Sequence, residues 1–326
     1  MVKLSRSVLL VVSLVAGSVA AGPAFAQAWP ARAVQLVTPF PPGGGGDILM
    51  RTLANKLQER LGKPFIVDNR PGAGGLIGTQ YGAKAAPDGY SVTLGITSTY
   101  SINPTFYKTL PYDPLKDFQP VALLAEGPHL MVINPDTPAK NFKEYVEYVR
   151  TQKGKLSYAS YGNGSTSQLI NEMLNSQHGM DLVHVPYKGM AAALADVMAN
   201  RVSMLLATSA PAVPLVQSGK LRAVAVFGNK RIETLPDVPT IGELGYKDSA
   251  LQIWYGLFAP AGTPRPIVEK LNAELRGILA LKDVQESFDK AGLYANPLGV
   301  DEFAAYVHSE AERWGKLVRL SKVQAD

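Results

Sequence analysis

Short β-branched runs alternate with longer amphipathic runs along almost the whole chain, and this alternation constrains the fold more than any other feature. Residues 33–37 (AVQLV) read as a strand. Residues 47–61 place Ile48, Leu49, Leu53, Leu57 and Leu61 at helical spacing, and Gly62 and Pro64 stop the run. A second strand follows at 64–68 (PFIVD), a helix at 75–85 and a strand at 90–95. The order β-α-β-α-β predicts a parallel sheet covered by helices. The same grammar returns with strands at 130–133, 155–160, 182–185, 202–207 and 223–227, and helices at 141–152, 166–178 and 190–199. A strand at 253–259 and helices at 264–280 and 301–318 close the chain. The fold class is therefore α/β with two lobes. The last elements are expected to return to the first lobe, so that it comprises 27–126 and 252–326 and the second comprises 127–251. A chain that crosses twice between lobes can close over a ligand about a hinge.

Residues 1–26 have the form of a cleavable secretory signal: basic Lys3 and Arg6, an apolar stretch over 8–19, then Ala24-Phe25-Ala26. The apolar stretch is short for a membrane span, which usually needs about 20 residues. The chain has no cysteine, so the expected mature protein of 300 residues relies on its core rather than on disulfides. Without Lys3 and Arg6 the 32 basic residues become 30 against 27 acidic ones, a net charge of +3. These charges are interspersed, which argues against nucleic acid as a partner. The reading is a soluble protein of the periplasm, monomeric and without a cofactor.

Four consecutive glycines stand between the first strand and the first helix, in Val37-Thr38-Pro39-Phe40-Pro41-Pro42-Gly43-Gly44-Gly45-Gly46-Asp47. With Asp47 as N-cap, such a loop offers free N–H groups and the positive end of a helix dipole at the carboxyl end of a strand, where α/β sheets bind ligands. The alternative is a plain structural turn. It is not a P-loop, because Gly-Gly-Asp stands where Gly-Lys-Ser/Thr belongs. A loop of the same form, Tyr161-Gly162-Asn163-Gly164-Ser165-Thr166-Ser167, lies in the other lobe and supports the binding reading. The tip Gly95-Ile96-Thr97-Ser98-Thr99-Tyr100 is a third candidate. Gly72–Gly78 misses the G-x-G-x-x-G spacing and reads as a turn. Tyr187-Lys188-Gly189 either places a cation near the cleft or forms another turn.

Catalytic signals are thin. His129, His178, His184 and His308 show no metal-ligand spacing, and Ser165 lies outside a G-x-S-x-G elbow. A hydrolase requires His184 to meet Ser165 in space.

Nine motifs in order carry a resemblance: PFPPGGGGD (39–47), NRPGAGGLIG (69–78), KAAPDGY (84–90), INP (102–104), YASYGNGS (158–165), VPYKG (185–189), GKLRAVAV (219–226), LPDVPT (235–240) and APAGTP (259–264). The chain resembles the Bug-type extracytoplasmic solute receptors of tripartite tricarboxylate transporters. That resemblance implies a type II periplasmic-binding-protein fold, a central cleft, and delivery of a ligand to membrane permease subunits. It implies that carboxylates are held by backbone and hydroxyl donors of the two glycine loops. The expected ligand contacts are Phe40, Pro41, Gly43, Gly44, Gly45, Gly46 and Asp47 from the first loop, and Thr97 and Ser98 beside it. The second lobe is expected to supply Tyr161, Gly164, Ser165, Thr166, Ser167, Ala207 and Thr208.

Two departures bear on the ligand. Gly46 stands where similar proteins often have Thr or Ser. Ala207 stands where some carry an Asp suited to an amino group, which favours a plain mono- or dicarboxylate over an amino acid. Phe40, Tyr161, Trp254 and Tyr255 either line an aromatic part of the cleft or belong to the core. A sensor component that presents its ligand to a signalling protein would share all of these features.

Overall fold

Burial on both faces makes a strand of β1 (Val34–Thr38), in which Val34, Leu36 and Val37 are fully covered. The computed structural model describes residues 29–246 and 250–321. The signal expected at 1–26 lies outside the described residues. Helix α1 (Gly45–Leu61) buries Leu49, Met50, Leu53, Ala54 and Leu57, one face of a 3.6-residue repeat. It ends at Gly62, whose φ of 65° lets its N–H reach the Gln58 carbonyl. Then follow β2 (Phe65–Asn69), α2 (Leu76–Ala83) and β3 (Ser91–Ile96), a π-type turn over Ser98–Ile102, and α3 (Asn103–Phe106).

Strand β4 (Phe118–Gly127) leads through Pro128 directly into β5 (His129–Ile133). Beyond it come α4 (Phe142–Gln152), β6 (Ser157–Ser160), α5 (Thr166–His178), β7 (Val183–Pro186), α6 (Met190–Met198), β8 (Met204–Thr208), α7 (Ser209–Gln217) and β9 (Arg222–Phe227). The chain ends in β10 (Ile253–Pro260), α8 (Arg265–Leu279), α9 (Lys282–Lys290), β11 (Tyr294–Ala295) and α10 (Val300–Ser321).

Two mixed sheets result. The first has the order β11-β4-β10-β3-β1-β2, with β2, β1 and β3 parallel and the rest antiparallel. The second has the order β7-β6-β8-β5-β9, with β7, β6 and β8 parallel. The chain passes from the first sheet to the second between β4 and β5, and returns between β9 and β10. One lobe is built on each sheet. Helix α10 serves both: Phe303 packs on Trp254 and Phe258 of the first lobe, while Trp314 and Val318 share a buried cluster with Leu169, Ile170 and Leu174 of α5. Among the described residues, no helix is long and apolar enough to cross a membrane.

Candidate functional site

The loops after β1, β6 and β7, together with Ile96 at the end of β3 and Thr208 at the end of β8, come together between the lobes. They border an inner cavity of about 40 Å³, lined on one side by Phe40, Pro41 and Gly44 to Asp47. Tyr161, Gly189, Met190 and Thr208 line the other side, and Ile96, Ile253 and Tyr255 its floor. Phe40, Pro41 and Tyr161 also border an outer chamber of about 850 Å³ between Pro71–Leu76 and Pro186–Lys188.

Helix α1 begins with Gly44 as N-cap, so Asp47 sits at the third helical position and is not the cap. Its side chain turns back instead. Oδ2 accepts from the Gly43 N–H at 3.1 Å and from Arg51 Nε at 3.0 Å, and Oδ1 accepts from Asn69 Nδ2 at 2.9 Å. Asn69 also donates to the Phe40 carbonyl at 3.1 Å. Asp47 thus pins the loop and is neutralised by Arg51. The N–H groups of Gly44, Gly45, Gly46 and Asp47 are left without a protein acceptor among the described residues.

Burial alone would raise the Asp47 pKa. The bonds from Arg51, Asn69 and Gly43 outweigh it, and the carboxyl is held below its ordinary value. A lowered pKa stabilises the fold at neutral pH, and that contribution disappears as pH falls through the folded-state value. Asp47→Asn is therefore expected to cost about 2 kcal/mol at pH 7. The gap to wild type should close below about pH 4. Equal urea midpoints at pH 7 would contradict this role.

Two buried hydroxyls complete the inner wall. Tyr255 Oη and Thr208 Oγ1 lie beside Gly45, and neither has a hydrogen-bond partner. Burial, then the neighbouring Tyr161, hold the Tyr255 phenol well above its ordinary pKa. Thr208 pulls the other way without completing a hydrogen bond. Tyr161 is raised to about 12 by burial, opposed by Thr166.

The hydroxyls of the second loop are turned inward. Ser165 caps α5 by accepting from the Gln168 N–H at 3.3 Å. Thr166 is bonded to Tyr161 and, at 2.8 Å, to His129 Nε2. Ser167 donates to the Ala159 carbonyl at 3.4 Å. Gly164 gives its N–H to Gln168 Oε1 at 2.8 Å. Thr97 Oγ1 accepts from the Trp254 N–H at 2.9 Å, Ser98 is buried, and Ala207 lies fully buried in β8. Gly43 packs near Ala191. These eight residues lie off the cavity wall. Phe40, Pro41, Gly44, Gly45, Gly46, Asp47, Tyr161 and Thr208 lie on it. Trp254 belongs to the core, stacked edge-on to Phe303.

Met190 and Ile253 are wall residues outside every candidate binding stretch of the sequence, Ile96 and Gly189 come from candidate stretches but not from the expected contacts, and Tyr255 takes the cleft side of its two readings. Gly189 had a usable signal, since VPYKG is again a strand, a small loop and a helix start. The run Gly72–Gly75, read as a turn, borders the outer chamber. A methyl built on Gly162 would stand 3.5 Å from Gly74 Cα, so backbone faces backbone across the cleft there.

Ser165 is not met by His184. His184 Nε2 lies 2.7 Å from Ser160 Oγ, and the Ser160 hydroxyl donates to the Gly162 carbonyl at 3.1 Å. The imidazole is thus engaged with Ser160 rather than with Ser165. Burial lowers His184 to about 4, so it is neutral near pH 7. No cluster of acidic and histidine side chains able to hold a metal occurs among the described residues.

Comparison with known proteins gives the family and the fold. A family model, the tripartite tricarboxylate transporter family receptor, matches residues 49–322. The structure of periplasmic binding protein BugD superposes with a TM-score of 0.87 at 36% identity, covering 91% of this chain and all of that one. Rpa4515 of R. palustris, solved with adipate, gives 0.88 at 33% identity over 90% and 98% of the two chains. MatC of Rhodopseudomonas palustris, solved with malate, gives 0.83 at 34% identity over 89% and 100%. The fold is that of the periplasmic binding proteins, and these neighbours are solute-binding receptors rather than enzymes. The chain belongs to the tripartite tricarboxylate transporter receptor family.

Proposed function

We propose that this protein is a periplasmic receptor that captures a small organic mono- or dicarboxylate between its lobes and hands it to the membrane permease subunits of a tripartite transporter. The observation that carries the reading is the α1 N-terminus, where four unpartnered amides line a cavity together with the unpartnered hydroxyls of Tyr255 and Thr208. Hydrogen bonds from such donors to an anion are worth roughly 1.5–3 kcal/mol each. The adipate and malate held by relatives of the same fold support the ligand class. Because the site lies between lobes joined by two crossings, ligand is expected to favour the closed form.

A thermal-shift screen over four- to six-carbon dicarboxylates, citrate and aromatic acids tests the reading. A ligand at 100 times its Kd adds about 2.7 kcal/mol to stability. If no acid raises the melting temperature, the proposal fails. Tyr255→Phe gives the sharper result. Deleting a buried hydroxyl that lacks a partner is expected to leave the ligand-free protein as stable or about 1 kcal/mol more stable. The ligand-induced shift should shrink. An undiminished shift would remove Tyr255 from the site.

A further inference from the structure

The inner cavity is too small for a whole organic acid. Its 40 Å³ has room for about three water-sized groups, the three heavy atoms of one carboxylate. The body of any bound acid must run outward past Phe40, Pro41 and Tyr161, the residues common to both walls, into the outer chamber of 850 Å³. That chamber is lined by glycines, prolines and the aromatic rings of Phe40, Tyr107, Tyr161 and Tyr187. Its one charged lining residue is Lys188. The Lys188 side chain is exposed and has no ion-pair or hydrogen-bond partner among the described residues. The adjacent Gly189 is on the inner wall, where a methyl would meet Pro41 at 2.8 Å. The backbone there is therefore tightly seated, and it sets Lys188 at the outer end of the same passage.

We propose that Lys188 is the specificity-determining residue for a second, distal carboxylate, so that this receptor selects extended dianions over monoanions. The proposal rests on the reading that α1 holds the first carboxylate. The head group meets uncharged donors, with Asp47 and Arg51 already cancelling each other. A lone ammonium at the far end of an outer chamber without acidic lining adds an attraction that only a two-headed ligand can use. The planar rings along the way suit a flat or fully extended body.

Calorimetric titration of the full mature chain with three matched pairs tests this: succinate and butyrate, adipate and hexanoate, terephthalate and benzoate. At least one dianion is expected to bind ten times more tightly than its monoanionic partner. Lys188→Met should bring that ratio close to one, Lys188→Arg should keep most of it, and added salt should erode it in wild type only. A ratio unchanged in Lys188→Met, or a wild type that binds both members of every pair equally, overturns the proposal while leaving the carboxylate reading standing. A wild type that binds none of the six acids overturns both. Lys188 lies on the surface of a chamber, so the variants are expected to fold, and matched melting curves verify that.

Discussion

Valine in place of Gly44 is expected to weaken carboxylate binding at least tenfold, about 1.4 kcal/mol, and to lower the melting temperature of the ligand-free protein by no more than about 4 °C. The four glycines are needed for different reasons, and Gly44 is the one the fold does not require. Gly43 has a φ of 84°, which side chains other than glycine adopt with strain. A methyl on Gly45 would lie 2.6 Å from Tyr255 Oη, and one on Gly46 would lie 2.6 Å from Leu94 Cδ2. Gly44 has an ordinary extended backbone, φ −83° and ψ 165°, and the nearest atom to an added methyl is Met190 Cβ at 4.0 Å. Its substituent would stand in the opening above the free amides. The weaker capping tendency of valine costs under about 1 kcal/mol, which corresponds to about 2–4 °C in a chain of this size. Normal affinity in Gly44→Val would mean that the ligand is held elsewhere, with the second loop the next place to look.

Trp314→Ala is expected to cost about 3–5 kcal/mol and to lower the melting temperature by roughly 10 °C. Trp314 is fully buried in α10, and its Nε1–H donates to Glu310 Oε2 at 2.9 Å. It fills space shared by Ile102 and Phe106 of the first lobe and Leu169, Ile170 and Leu174 of the second. Truncation would leave a cavity bounded by rigid helices, which relax little. It would also remove the donor from a buried carboxylate that then keeps only Arg313, at 3.1 Å. Trp314→Phe should recover most of the loss. A urea-derived change below 1 kcal/mol for the alanine variant would show that the site collapses freely.

The parallel strands and their helices were legible because short β-branched apolar runs, as in β1, alternate with apolar faces repeating at 3.6 residues, as in α1. Strand β4 was not, although it is the longest among the described residues. Pro120 lies within it, and it pairs with β10 through two register shifts that break the alternation. Helix α7 hides behind Pro211 and Pro214, which read as breakers in any single sequence. In the site, the glycine loops announced themselves through their position between strand and helix. The direction of their hydroxyls did not: Ser165, Thr166 and Ser167 look like donors in sequence, but capping, His129 and the Ala159 carbonyl take them up. Ile96, Ile253 and Met190 reach the wall through contacts distant in sequence, which periodicity cannot report.

Where the lips of the cleft meet at Gly74 and Gly162, backbone rather than interlocking side chains makes the contact. Each atom pair there contributes only about 0.1–0.2 kcal/mol of dispersion. A clasp of that kind has little memory: once the cargo loosens, this contact adds little delay to reopening. Residence time is then governed by the bonds to the cargo, and a membrane partner needs little mechanical work to part the rim during handover.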